Sequence, residues 1–366
     1  MFIVILGTKA SGKETVADYL VRTLEFTRLR LVGRDADPPA ASATSATSGS
    51  SDSSGVFGSA NAILSFVTPR WRTNYVTTDV TSPVDVRRLW KRPFVLVVGV
   101  DAPMGLRYRR YCARTTPPSP PLGLGEFVAA DDDELYAIRA PAAGLSSGAE
   151  GNAMSPMLPA AYSADSMLDA TIKRVLVSAN VSIENTFATV EDLYVYLDRV
   201  DLANGERLRP SWDTYFMLLS ELASHRSNCM KRRVGCILVK DHQIIATGYN
   251  GTPKGVTNCN DGGCPRCNAG TPCGVSLDYC LCIHAEENAL LEAGRGRVRT
   301  GQDVVLYCNT CPCLGCAKKI VQVGVRVVVY SKGYGMDELT LKLFKEAGVA
   351  VRQHTPPVLS MGIAAP

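Results

Sequence analysis

The sequence has no apolar run near the length needed to span a bilayer, which argues against an integral membrane protein. Its start, MFIVILGTKASGK, carries a short apolar run with no basic stretch before it and no small-residue cleavage site after it. It is therefore read as a first strand and not as a secretion signal. No strong charge of one sign is present either: the formal net charge is +4, and aromatic residues make up only 7%. What positive excess exists is local. From Glu206 onward Lys and Arg number 19 against 13 Asp and Glu, with Lys231, Arg232 and Arg233 in a row and Arg295, Arg297 and Arg299 alternating. This falls short of the basic stripe with interleaved aromatics that marks nucleic-acid binding; a solvated face and a phosphate-binding patch both stay open. No nucleic-acid or membrane partner is expected. The expected location is the cytoplasm, with the nucleus as a second compartment.

Cysteine is abundant instead. Twelve of the thirteen fall between Cys229 and Cys316, interleaved with His284. Without a secretion signal, that density points to metal binding in a reducing compartment and away from disulfides. The stretch from Cys280 to Gln322 reads CLCIHAEENALLEAG, a spacer, then CNTCPCLGCAKKIVQ. His284, Cys313 and Cys316 supply three ligands of a tetrahedral zinc and leave the fourth position for water, whereas structural zinc is normally closed by four. Cys313 and Cys316 sit three apart at a helix start, where Pro312 suits the first turn and the positive helix end favours thiolates. Glu286, two residues after His284, is the expected proton shuttle. H-x-E followed by P-C-x-x-C is the signature of zinc-dependent nucleobase deamination, in which zinc-activated water adds to the ring carbon bearing the amine. The bland alternative is a structural knot of Cys308, Cys311, Cys313 and Cys316. It has no use for a His-x-Glu at the start of another helix, and Cys308 and Cys311 are read as small apolar residues.

Residues 1–200 are expected to form a P-loop-like α/β domain. Phe2 to Leu6, the loop Gly7-Thr8-Lys9-Ala10-Ser11-Gly12-Lys13 and the helical TVADYLVRTL follow the order strand, glycine loop, helix, with Gly7, Gly12 and Lys13 as the phosphate-binding positions. One position departs. Glu14 stands where Ser or Thr would hold magnesium, so NTPase chemistry is expected to be weak or lost. Residues 34–60 and 115–164 are rich in small, polar, Pro and Gly residues and are read as disordered insertions. Between them, Arg92 to Pro103 reads as a buried strand of a parallel sheet, and the basic run Arg107 to Arg110 follows it. This unit resembles the strand-D-x-P-helix of nucleotide kinases and dephospho-coenzyme A kinases, which implies arginines facing phosphates; a surface face is the other reading. Val175 to Val177 is expected to be a short strand and Thr189 to Arg199 a helix, with the junction between Val200 and Pro210.

Residues 206–355 are expected to form the second domain. Ser211 caps a helix, Val234–Val239 and Gln243–Thr247 form a hairpin, and a helix from Ala285 stops at Gly294. Strands and helices then alternate to give the order αββαβαβαβ, an α/β/α sandwich.

RVGCILV, GYNGTPKG, HAEENALL, PCLGCAKKIVQVGV and VVYSKGY together resemble the deoxycytidylate (dCMP) deaminases, of the cytidine deaminase-like fold. With a degenerate P-loop domain in front, the fungal type is the nearest likeness. The resemblance implies conversion of dCMP to dUMP plus ammonia, supplying thymidylate synthesis, with His284, Cys313 and Cys316 on zinc and Glu286 as shuttle. It implies substrate contacts by Asn250 and Tyr334. It also implies a homo-oligomer, a hexamer in many members, with dCTP as activator, dTTP as inhibitor and Mg2+ accompanying such effectors. Some members carry a second, structural zinc in the region of the insertion CNDGGCPRCNAGTPCGVSLDYCLC. Cys229, Cys259, Cys267 and Cys282 are the set taken for it here, although Cys264 and Cys280 allow other sets of four. The competing functions are a deaminase of another base, nucleoside or RNA, a P-loop nucleotide-binding or kinase-type protein, and a non-catalytic zinc protein.

Overall fold

Phe2–Gly7 has no polar side chain, and it forms β1, the central strand of a five-stranded parallel sheet. The computed structural model describes residues 1–32, 55–114, 121–136, 171–272, 274–298, 304–333 and 338–357. The chain divides into two units, with Met1–Arg209 in the first and Pro210–Pro357 as the second.

In the first unit, β1 is flanked by β2 (Thr27–Arg28) and β5 (Tyr75–Thr77) on one side and by β6 (Val95–Asp101) and β7 (Val181–Glu184) on the other, in the order β2-β5-β1-β6-β7. Both faces are covered, which is why β1 and β6 read as unbroken apolar runs. The helices α1 (Lys13–Leu24) and α7 (Val190–Val200) pack Val16, Leu20, Leu193 and Leu197 on one face; α2 (Ala60–Val67) and α3 (Pro83–Trp90) pack Ile63, Val67, Val86 and Leu89 on the other.

Three expectations are corrected. Val175 to Val177 is not a strand but lies within the helix α6 (Ile172–Ser178). Thr171 Oγ1 accepts the Arg174 N–H at 3.4 Å to cap it, and Val175 is buried while Val177 is 73% exposed. The stretch 34–60 is ordered at its end: β4 (Val56–Phe57) pairs with β3 (Arg30–Leu31), and α2 starts at Ala60. The stretch 115–164 contains an ordered helix, α5 (Leu124–Tyr136), held because Arg107 of α4 (Met104–Arg114) donates to both carboxylate oxygens of buried Asp131, at 2.5 and 2.8 Å. The remainder of both stretches lies outside the described residues. Arg107 is thus spent on an internal ion pair, neither on a phosphate nor on a solvated face.

The second unit begins with α8 (Trp212–Ser224), capped by Ser211, whose Oγ accepts the Thr214 N–H. Its sheet has the order β12-β11-β10-β8-β9, with β8 (Gly235–Lys240) antiparallel to β9 (Gln243–Tyr249) and to β10 (Val304–Thr310). The strands β10, β11 (Val327–Lys332) and β12 (Ala350–Gln353) run parallel. Phe216 and Met217 of α8 pack on Ile237, Val239 and Tyr307 at one face. The other face carries α10 (Ala285–Arg297), α11 (Leu314–Val323) and α12 (Glu338–Glu346), through Ala285, Ala289, Ala317, Ile320 and Phe344; α9 is the single turn Pro265–Asn268. The result is an α/β/α sandwich in the order αββαβαβαβ. Within α10, Gly294 leaves helical geometry at φ 64°, so the regular helix ends there. Among the described residues, no helix is long and apolar enough to cross a membrane.

Candidate metal and catalytic site

Two helix starts meet at the site. His284 is the N-cap of α10 and Cys313 the N-cap of α11, so the backbone N–H groups of both helices open toward the same place. Cys316 lies one turn into α11. His284 Nδ1 is 3.5 Å from Cys313 Sγ and 3.3 Å from Cys316 Sγ, and the three donor atoms lie within 4.8 Å of one another. One imidazole nitrogen and two sulfurs at this spacing suit a zinc ion, and three protein donors leave one tetrahedral position open. Among the described residues, Glu286 is the carboxylate buried beside them, only 4% exposed, at the second position of α10.

The charges are arranged for metal exchange and proton transfer. Cys313 is pulled down to about 3, first by its hydrogen bond with Cys316 and next by that with His284. The Cys316 thiol is correspondingly pushed up, by the same bond and by burial. Hydrogen bonding to Cys313 raises His284 to about 9. Burial raises Glu286 above the ordinary carboxylate range, so it gains affinity for a proton in this site. A zinc ion must therefore displace protons from His284 and Cys316 as it enters.

The local sequence explains why the ligands converge. Gly251 and Ile283 exchange both backbone hydrogen bonds, at 3.2 and 2.8 Å, which pins the chain just before His284 to the GYNG segment. Asn288 Nδ2 donates to the Tyr249 carbonyl at 2.7 Å, one turn further on. At Gly248 the helix α10 presses directly on β9: a Cβ there would stand 2.1 Å from the Ala285 carbonyl oxygen and 2.5 Å from the Ala289 nitrogen. Glu287 accepts the His284 N–H at 3.2 Å and forms an ion pair with Lys319 of α11, which joins the two ligand-bearing helices.

Residues 210–332 match the family described as the cytidine and deoxycytidylate deaminase zinc-binding region. Over nearly its whole length the chain is similar to the deoxycytidylate deaminase of Schizosaccharomyces pombe, 43% identical over 96% of this chain and 97% of that protein. The chain belongs to the deoxycytidylate deaminase family. Similarity to the Saccharomyces cerevisiae deoxycytidylate deaminase is 37%, over 96% of each chain. A solved dCMP deaminase of cyanophage S-TIM5, in complex with dCMP and dUMP, is 31% identical over 40% of this chain and 98% of that one, with a TM-score of 0.32.

In this deaminase Asn250 is only 7% exposed and heavily engaged. Its Oδ1 accepts from the Val234 N–H at 2.8 Å and from Ser227 Oγ at 2.7 Å, and its Nδ2 donates to the Arg232 carbonyl at 2.8 Å. Three of its four hydrogen-bonding opportunities brace the loop 227–234. Tyr334 lies outside the described residues. Cys308 and Cys311 are buried, and Cys308 pairs across the sheet with Cys236. Cys229, Cys259, Cys267 and Cys282 come together with all sulfurs within 4.8 Å.

The bracing roles of Gly248, Asn288 and the Glu287–Lys319 pair were not read from the sequence. Glu287 had a signal, an acid at the third helical position after His284. Gly248 and Asn288 act through contacts made only on folding.

In the first unit, Gly12 takes φ +100° as the N-cap of α1, and a Cβ there would meet Asn185 Nδ2 at 2.2 Å. A Cβ at Gly7 would stand 2.5 Å from the Val100 carbonyl oxygen and 2.6 Å from Ser11 Oγ, and Lys13 Nζ donates back to the Gly7 carbonyl at 3.2 Å. Glu14 forms an ion pair with Arg28, which also binds Asp18 at 2.9 Å.

Proposed function

We propose that this chain converts dCMP to dUMP and ammonia by hydrolysis, with zinc held by His284, Cys313 and Cys316 and with Glu286 as the proton shuttle. The observation that carries the reading is a buried carboxylate raised toward proton uptake beside three metal donors that leave a coordination position free. Zinc, when bound there, supplies the Lewis acidity that lets water act as a nucleophile near neutral pH. Glu286 takes a proton from that water and delivers it to ring N3, which makes C4 electrophilic. The hydroxide so formed adds to C4; Glu286 then carries the second proton, from that hydroxyl, to the exocyclic amine, the C4–N bond breaks, and ammonia leaves as C4 becomes a carbonyl. The remaining amide hydrogen of Asn250 orients the nucleotide, and the family resemblance adds Tyr334 as a contact near the nucleotide phosphate.

A substrate panel of cytidine, CMP, dCMP and guanine at matched concentration tests the assignment. dCMP is expected to give the highest kcat/KM; preference for a free base or nucleoside would replace it with the broader deaminase reading. The family resemblance adds activation by dCTP, inhibition by dTTP, Mg2+ with these effectors, and a hexamer. Turnover with each effector, alongside mass measurement in solution, checks them, and an unregulated monomer would contradict them.

For the first unit, binding of a nucleotide phosphate at Gly7, Gly12 and Lys13 without hydrolysis is the reading supported by the local geometry. Both glycines sit where a side chain could not, and Glu14 is engaged by Arg28, not placed to hold magnesium. Nucleotide titration followed calorimetrically is expected to give binding that Lys13→Ala removes, without phosphate release; steady ATP turnover would contradict it.

A further inference from the structure

A second set of sulfurs lies apart from the His284 donors. Cys229, Cys259, Cys264, Cys267, Cys280 and Cys282 come from separate stretches: the loop after α8, the turn Cys259–Asp261, the short helix α9 with its preceding residue, and the segment leading into His284. They pack against one another as a cluster of their own. None is in a disulfide.

The six fall into two tetrads. Cys229, Cys259, Cys267 and Cys282 form one; Cys264, Cys267, Cys280 and Cys282 form the other; within each, all sulfurs lie within 4.8 Å of one another. Both tetrads contain Cys267 and Cys282. Zinc bonded to four sulfurs at about 2.3 Å places those sulfurs about 3.8 Å apart. The separations here are 3.9 Å for Cys229–Cys267, 3.8 Å for Cys267–Cys280, and 4.0 Å for both Cys264–Cys280 and Cys267–Cys282. A disulfide would need sulfurs near 2 Å. The spacing is that of tetrahedral edges.

We propose that these six cysteines hold two zinc ions in one binuclear thiolate cluster, with Cys267 and Cys282 each bridging both metals. Cys229 and Cys259 complete one tetrahedron, and Cys264 and Cys280 complete the other.

One metal does not account for the arrangement. A single zinc in either tetrad takes four sulfurs and leaves two buried or half-buried cysteines within ligand distance of the shared pair but without a metal. Charge favours two ions as well. Six thiolates around one zinc carry a net charge of −4, and around two zincs −2, a large difference where Cys259 and Cys264 are fully buried. Backbone donors already face the sulfurs, as they do in thiolate metal sites: Met230 N–H to Cys259 and Leu281 N–H to Cys264, each at 3.4 Å. Among the described residues neither tetrad includes an imidazole or a carboxylate, so both sites are closed by sulfur and offer no position for water. The cluster is thus a clamp. It holds the segment Cys280–Cys282 two residues before His284.

Metal content of the full-length protein decides the matter independently of its reaction. Zinc-loaded protein, washed free of excess metal, is expected to hold three zinc ions per chain, and Cys313→Ser to hold two. Cadmium exchange followed by cadmium NMR is the second measurement and needs no variant in the cluster. It is expected to show two all-thiolate resonances split by coupling to each other through shared sulfurs. Cys267→Ser, which removes one of the two bridges, is expected to weaken that coupling, leaving only the path through Cys282. Two zinc ions per chain in the loaded wild type, or two thiolate resonances without mutual coupling, would overturn the bridged cluster.

Discussion

The two cysteine-rich clusters of the second unit are built from the same thiol chemistry and differ in what accompanies it. At the first, two sulfurs share the metal position with His284, and Glu286 is buried alongside. At the other, sulfurs alone surround the metal positions. Three ligands and an adjacent carboxylate make a place where water can be bound and deprotonated; four sulfurs saturate zinc and leave it only a structural role. The number of ligands and the presence of one carboxylate therefore divide catalysis from clamping, and cysteine density does not.

The contrast breaks most visibly if one ligand is taken from each cluster. Cys313→Ser is expected to lose the catalytic zinc and to lower dCMP turnover by more than about a hundredfold, beyond what loss of an outer-shell partner costs. Cys264→Ser is expected to act first on folding, seen as a lower midpoint in thermal unfolding, with a smaller loss of kcat per folded molecule. Equal losses of turnover in the two variants, measured alongside zinc content, would erase the distinction.

A smaller effect is expected at Gly248, which touches no ligand. Gly248→Ala forces a methyl into the Ala285 and Ala289 backbone, so α10 must shift, at a cost of about 1–3 kcal/mol. Urea unfolding should show that loss, with turnover falling as His284 moves; unchanged stability would mean that the helix does not rest on β9 there.

Acidity sharpens the comparison next. Because His284 is raised to about 9 in the metal-free site, protons compete with zinc there throughout the neutral range. Zinc affinity at this site should therefore fall steadily as pH drops below about 9, while the raised Cys316 thiol keeps it rising above that pH. Chelator competition at several pH values checks this, and a flat profile would contradict it. The smallest effect is expected from Lys319→Met. The Glu287–Lys319 pair is partly exposed, so its loss should cost under about 1 kcal/mol, read from thermal unfolding, and should weaken further in high salt.

Much of this site was legible in sequence because its parts are local. His284 and Glu286 are two apart, Cys313 and Cys316 three apart, and both pairs begin helices whose apolar spacing is plain. The order of elements in the second unit was legible for the same reason. The first unit was harder. Val175 to Val177 is too short a run for periodicity to separate strand from helix, and only Thr171 capping and the exposure of Val177 reveal the latter. The helix Leu124–Tyr136 was hidden by its Pro- and Gly-rich surroundings, because what orders it is Arg107, distant in sequence, meeting Asp131. The cysteine cluster shows the same limit. Spacing allowed several sets of four, and only folding brings two of them onto a shared edge.

The central claim is that Glu286 performs proton transfer beside a zinc it does not bind. Zinc content and dCMP turnover measured together on Glu286→Ala test it most directly. The account predicts full zinc occupancy with kcat lowered by roughly 10²–10⁴-fold, the usual contribution of a positioned acid and base. Turnover near the wild-type rate with zinc in place would contradict it.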